Sequence, residues 1–224
     1  MNKSIAALIS TAFAIVTLSD THLMAQVILP IGLPPGTQYQ LIFATKDTWS
    51  TPTDGNIADY NTFVTTEANQ SSQLAALGVQ WNAIVSTTTE NASANAPSSG
   101  LVYNTDGTEV ASAASALYSG GLLAAENGYD QFGATDGPRT EYLWTGSTPT
   151  GGAKTGYTFG NVEVEYGNTG SSSGTWLDTG SHGSVLAYDI YALSTPITVV
   201  PEPTTITLVA VGLLGAWAIR RRKA

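Results

Sequence analysis

Apolar and polar residues along this chain follow rhythms that change from segment to segment. Leu41-Ile42-Phe43-Ala44 is an unbroken apolar run, as a short strand buried on both faces requires. After the turn residues Thr53-Asp54-Gly55, Ile57, Tyr60, Val64 and Ala68 recur at helical spacing, with Phe63 beside them. Asn56 stands at the N-cap position, and Asp59 in the first turn suits the positive end of the helix dipole. Residues 73–77 predict a short further helical turn, ended by Gly78. Residues 79–85 begin with apolar and polar positions in alternation, which predicts a half-buried strand. Residues 111–118 predict a short helix stopped by Gly120-Gly121.

From Tyr142 onward the texture becomes strand and loop. Residues 142–146, 161–166 and 185–193 predict strands. From Gly146 to Gly183 there are ten glycines in 38 residues, so long, turn-rich connections join them. Helices in front and strands behind predict a single loop-rich α+β domain over residues 39–195. Residues 26–38, with Pro30, Pro34 and Pro35, form a stiff lead-in, and residues 196–203 a linker. The two outer strands, 41–44 and 190–193, bracket one core-sized segment and are predicted to lie near each other.

The ends carry different signals. Residues 1–25 read as a secretory signal peptide: Asn2 and Lys3 are the polar start, residues 5–18 the apolar stretch, and Ala25 the small residue before the cut. Residues 204–219 contain no charge and would span about 24 Å as a helix, against about 30 Å of hydrocarbon. Local bilayer thinning and snorkelling of Arg220 cover the difference, so a transmembrane helix is predicted there. Arg220, Arg221, Arg222 and Lys223, in the tail 220–224, orient it with its C-terminus in the cytoplasm. The domain then faces outward.

Pro201-Glu202-Pro203, the short apolar span and the basic terminus resemble, in order and spacing, the PEP-CTERM sorting signal. The resemblance covers residues 200–224. It implies a Gram-negative host making exopolysaccharide, and processing by an exosortase, with Pro201, Glu202 and Pro203 as the recognised segment and the helix as a temporary membrane handle. The implied route is the inner membrane first, then the envelope surface or the exterior. A second resemblance is weaker in its motifs. Leu143-Trp144-Thr145-Gly146-Ser147 resembles the Trp-Ile-Gly-Leu region of C-type-lectin-like domains, with Trp176 in the loop-rich half and a last strand returning beside the first. The family's cysteines and its Glu-Pro-Asn calcium motif do not occur in this sequence, so the resemblance implies the fold and not sugar binding.

Composition narrows the chemistry. With no cysteine, disulfide frameworks, thiolate metal sites and cysteine nucleophiles are excluded. Only 11% of residues are charged, and between Gln26 and Pro203 three basic residues face sixteen acidic ones, a net charge near −13. Such a segment repels nucleic acid. The basic residues Lys46, Arg139 and Lys154 form no pattern and read as surface charges. His182, near Ser181, Ser184 and Asp178, lacks the surroundings of a nucleophile elbow and reads as a solvated loop residue. Glu163 and Glu165 share a strand face and read as its polar side rather than an acid–base pair. Asp130, Asp136 and Asp178 are the carboxylates that calcium would use, although no Asp-x-Asp-x-Asp run occurs. Trp49, Trp81, Trp144 and Trp176 suit either a core or a carbohydrate platform, with the core favoured.

No catalytic residue, resident metal or cofactor is therefore assigned. The sequence predicts a non-enzymatic, exported envelope or matrix protein that interacts with exopolysaccharide or other surface material. The alternative is an extracellular hydrolase of polysaccharide delivered by the same route.

Overall fold

A computed structural model describes residues 26–50, 52–98, 100–112, 117–135 and 142–200. In chain order the elements are β1 (Gln38–Ala44), β2 (Trp49–Ser50), α1 (Ile57–Gln70), α2 (Ser72–Ala75), β3 (Trp81–Ala83), α3 (Ala92–Asn95) and β4 (Leu101–Asn104). There follow β5 (Glu109–Ala111), β6 (Tyr142–Trp144), β7 (Glu163–Asn168), a 3-10 turn at Gly174–Trp176, β8 (Gly180–Gly183), β9 (Ala187–Ser194) and β10 (Ile197–Thr198). The architecture is α+β: one large mixed sheet with few helices.

The main path of the sheet runs β5-β4-β1-β9-β6-β7-β8. β1 is antiparallel to β9, with Ile42 opposite Leu193, Phe43 opposite Ala192 and Ala44 opposite Tyr191. The predicted neighbours are therefore hydrogen-bonded partners. β1 with β4 and β6 with β9 are the parallel pairs, which makes the sheet mixed. The short β3 and β2 also pair with β9, and β10 pairs with β1.

The unbroken apolar run of β1 is explained by burial on both faces. Leu41 and Phe43 point to one core with Tyr60, Val64, Ala68, Trp81 and Trp144. Ile42 and Ala44 point to another with Leu117, Leu143, Trp176 and Tyr191. β9 alternates the same way, Ile190 and Ala192 on the first side, Tyr191 and Leu193 on the second. Strands whose two faces both lie in a core have no solvated side to mark with polar residues.

α1 covers the first face. The Asn56 side chain accepts from the Ala58 amide at 3.3 Å and donates to Asp59 at 3.0 Å, so the cap and the first-turn acid act together. Tyr60, Val64 and Ala68 are buried, as their spacing predicts. Ser71 closes α1 through its amide and opens α2 through its hydroxyl, compressing the two-helix connection to one residue.

Other expectations are corrected. Ala111 ends β5, where it pairs with Val102, and residues 117–120 form turns, so no helix begins at 111; residues 113–116 lie outside the described residues. The last long strand starts at Ala187, with Val185 and Leu186 exposed ahead of it. The strand at 79–85 contracts to β3. At the margins of residues 39–195, Val27 is buried, and the chain stays in the sheet through Thr198. Val199 remains bonded beyond it, its amide donating to the Thr37 carbonyl at 2.9 Å.

Candidate functional site

Beyond the reach of α1, the same sheet face continues across β9, β6, β7 and β8. Each strand contributes one aromatic ring there: Tyr188, Tyr142, Tyr166 and His182. The register sets them together, because Trp144 opposes Tyr166 and Val164 opposes His182, which places Tyr142, Tyr166 and His182 on one side of the pleat. Tyr166 stacks on His182 with centroids 4.4 Å apart, and Tyr142 meets Tyr166 edge-on at 4.5 Å. Tyr188 lies 4.6 Å from the buried Trp144 ring and shares a 2.6 Å hydrogen bond between its hydroxyl and His182 Nδ1. Tyr142 is the most open of the four, 40% exposed.

Burial raises the phenols of Tyr166 and Tyr188 above the usual tyrosine range, and the neighbouring phenols, with Glu165 also at Tyr166, add to this. The cluster therefore presents phenol hydroxyls on a base of mutually packed rings. His182, expected in a solvated loop, instead sits on β8 as a member of this group.

The opposite side of β7 carries a different constellation. Glu163 and Glu165 do share a face, but it is not a solvated polar one: Glu163 is exposed while Glu165 is 2% exposed. Lys154 Nζ contacts Asp178 Oδ1 at 2.9 Å and Oδ2 at 2.7 Å. The Glu165 carboxyl lies close enough to Asp178 and Lys154 to feel both charges. Burial, then the neighbouring Asp178, push the Glu165 carboxyl up to about 7, against the opposing pull of Lys154 and the Gly180 amide. The Asp178 contact likewise raises the Lys154 ammonium. Lys154 is thus no unpatterned surface charge but half of an ion pair.

The carboxylates considered for calcium are separated. Asp178 is held by Lys154, whereas Asp130 Oδ1 caps its own loop by accepting from the amides of Phe132 and Ala134 at 2.8 and 2.9 Å. Asp136 and Arg139 lie outside the described residues. Among the described residues no group of three or more His, Asp or Glu converges as a metal site. Trp81, Trp144 and Trp176 are fully buried, and Trp49 packs edge-on against Tyr60 and Phe63. The exposed rings are tyrosines, a set that sequence reading did not single out.

The sorting residues Pro201, Glu202 and Pro203, the span 204–219, and Arg220, Arg221, Arg222 and Lys223 lie outside the described residues. Among the described residues no helix is long and apolar enough to cross a membrane. The chain carries a carboxy-terminal address for export and processing. Residues 199–223 match the family described as the PEP-CTERM protein-sorting motif, which implies an exported protein directed to an exosortase and to the cell envelope or surface. No curated protein matches the chain.

Proposed function

We propose that this protein is a non-enzymatic envelope or matrix component, anchored in the inner membrane by residues 204–219 until processing, that holds exopolysaccharide on its face of Tyr142, Tyr166, His182 and Tyr188. The observation that carries the reading is this pre-packed aromatic face, open at Tyr142 and half-buried at its other rings, on an exported chain. Ring faces and edges pack against the C–H surfaces of sugars, and phenol hydroxyls orient them by hydrogen bonds. The net charge near −13 between Gln26 and Pro203 favours neutral polymers; an acidic polymer would need divalent cations as bridges. A C-type-lectin-like ancestry draws support from β1 lying beside β9 and from the buried Trp144, and the aromatic face would then replace that family's calcium site.

The hydrolase reading is favoured by one feature, the Glu165–Asp178 carboxyl pair, since one protonated and one ionised carboxyl are the tools of glycoside hydrolysis. Burial of Glu165 and occupation of both Asp178 oxygens by Lys154 weigh against it.

The test is retention of the purified protein on immobilised neutral and acidic polysaccharides, with calcium or chelator, while released reducing ends are counted separately. Retention without reducing ends, weakened by Tyr142→Ala, is the expected result. Release of reducing ends that disappears in Glu165→Gln would reverse the assignment in favour of the hydrolase.

A further inference from the structure

Lys154, Asp178 and Glu165 come from three separate segments, and the fold spends considerable order on bringing them together. The Lys154 amide donates to the Gly146 carbonyl at 3.0 Å, and its own carbonyl accepts from Tyr157 at 2.9 Å. Asp178 is set by its amide on the Gly174 carbonyl, and the next residue, Thr179, donates to Tyr166 of β7. Leu177, just before it, has its carbonyl bound by the buried Thr145 hydroxyl at 2.6 Å. Both backbones are therefore fixed on the sheet, and only side-chain freedom separates the amine from the carboxyl.

An ordinary surface ion pair would leave its partners to water. Here the Asp178 side chain is 17% exposed and Lys154 32%, while Glu165 lies beneath them at 2%. Glu165 Oε1 has no hydrogen-bond partner, an uncompensated group of the kind that native structures retain for a reason. A buried carboxyl beside the Lys154–Asp178 pair, with an oxygen that has no partner, is placed to pass a proton.

We propose that Lys154 and Asp178 are joined by a spontaneous intramolecular amide bond, with Glu165 as the proton relay. The contact of Nζ with both Asp178 oxygens holds it at a near-attack separation, roughly 3–3.5 Å from Cγ. In the step, one proton of the Lys154 ammonium passes to the Asp178 carboxylate, leaving a neutral amine and a neutral carboxyl. The nitrogen lone pair forms a bond to Cγ. A second proton leaves the nitrogen through Glu165 to the departing hydroxyl, the C–O bond breaks, and one water is lost. The third hydrogen stays on the amide nitrogen, Glu165 ends as it began, and nothing is oxidised or reduced. Burial, which pushes Glu165 up to about 7, keeps a proton available near neutral pH.

The bond would tie the loop between β6 and β7 to the segment entering β8, residues 24 apart in sequence. A protein with no cysteine has no disulfide with which to fasten such loops outside the cell, and an amide is indifferent to reductants. The inference does not depend on what the aromatic face binds.

Tryptic mapping of the full chain, purified folded and then denatured for digestion, tests it. Trypsin does not cut after an acylated lysine, so the expected product runs uncut past Lys154 and is lighter by one water than its sequence. Tandem spectra should place the junction at Lys154 and Asp178. In Glu165→Gln and in Asp178→Ala, cleavage after Lys154 and the full sequence mass should return. Lys154→Arg, which keeps the ion pair but offers no primary amine, should show full mass in a folded protein and so separates loss of linkage from loss of fold. Wild-type protein with normal cleavage at Lys154 and full mass after prolonged incubation near neutral pH overturns the bond. A bond that persists in Glu165→Gln overturns the relay.

Discussion

Gly167 of β7 lies directly against the carbonyl oxygen of Trp176, which occupies the space that a Cβ on residue 167 would need. The contact lets the 3-10 turn settle on the strand, buries the Trp176 ring, and sets Asp178 two residues later over Glu165. Gly167→Ala must displace backbone rather than a flexible side chain. The expected cost is about 1–3 kcal/mol, the usual range for forcing extra volume into a packed interior. Urea unfolding followed by tryptophan fluorescence measures it. A variant as stable as the parent would show that the turn is not held by this approach.

The pH dependence of stability should run opposite to that of a protein held by surface ion pairs. Glu126 is fully buried, and burial pushes its carboxyl from 4.5 up to about 8, against the pull of nearby backbone amides. Glu67 and Glu165 shift in the same direction. A folded-state value above the unfolded one means that the folded protein holds the proton more tightly. The associated stability is complete below about 4.5 and declines as pH rises through about 8. Urea midpoints should therefore fall between about pH 5 and about pH 9, and Glu126→Gln should flatten the decline. A midpoint that rises over that interval would contradict the buried-carboxyl account.

Two aromatic substitutions separate surface from core. Trp144→Ala empties a fully buried position between β7 and β9 and should cost about 3–5 kcal/mol. Tyr142→Ala removes a ring that is 40% exposed and should cost about 1 kcal/mol, mainly its edge-on contact with Tyr166. Yet Tyr142→Ala should lower polysaccharide retention at unchanged secondary structure. Equal retention by parent and variant, measured by affinity electrophoresis, would remove the aromatic face as the binding surface.

What could be read in advance divides along a physical line. Asn56 and the helix it caps, and the unbroken apolar runs of β1 and β9, are local patterns whose cause lies within a few residues. The β1–β9 pairing followed because two runs buried on both faces need each other's core. Residues 111–118 misled because alanine-rich sequence favours helix weakly, and pairing of Ala111 with Val102 outweighs that preference. The tyrosine face was not visible because four strands supply one ring each and register alone assembles them. Lys154, Glu165 and Asp178 were seen singly for the same reason. Pro201-Glu202-Pro203 was legible because a sorting signal is read by another protein as contiguous sequence.

Processing of that signal gives the last prediction, and the fold adds a constraint to it. Val199 is hydrogen-bonded through both its amide and its carbonyl, to Thr37 at 2.9 Å and Gly36 at 2.8 Å. Pro201 follows two residues later, and neither proline has an amide with which to continue the pairing. Under the sorting proposal, the recognition segment begins in sequence two residues after the sheet-bonded Val199. Replacing Pro201, Glu202 and Pro203 with alanine should leave export intact but retain a full-length, membrane-bound chain. A flexible Gly-Ser spacer inserted after Val200 should speed processing severalfold by relieving the enzyme of contact with β10. Mass spectrometry of protein from exosortase-containing cells reads both results. If most wild-type molecules end at Ala224, the segment is an ordinary anchor, and if the spacer changes nothing, β10 does not restrict access.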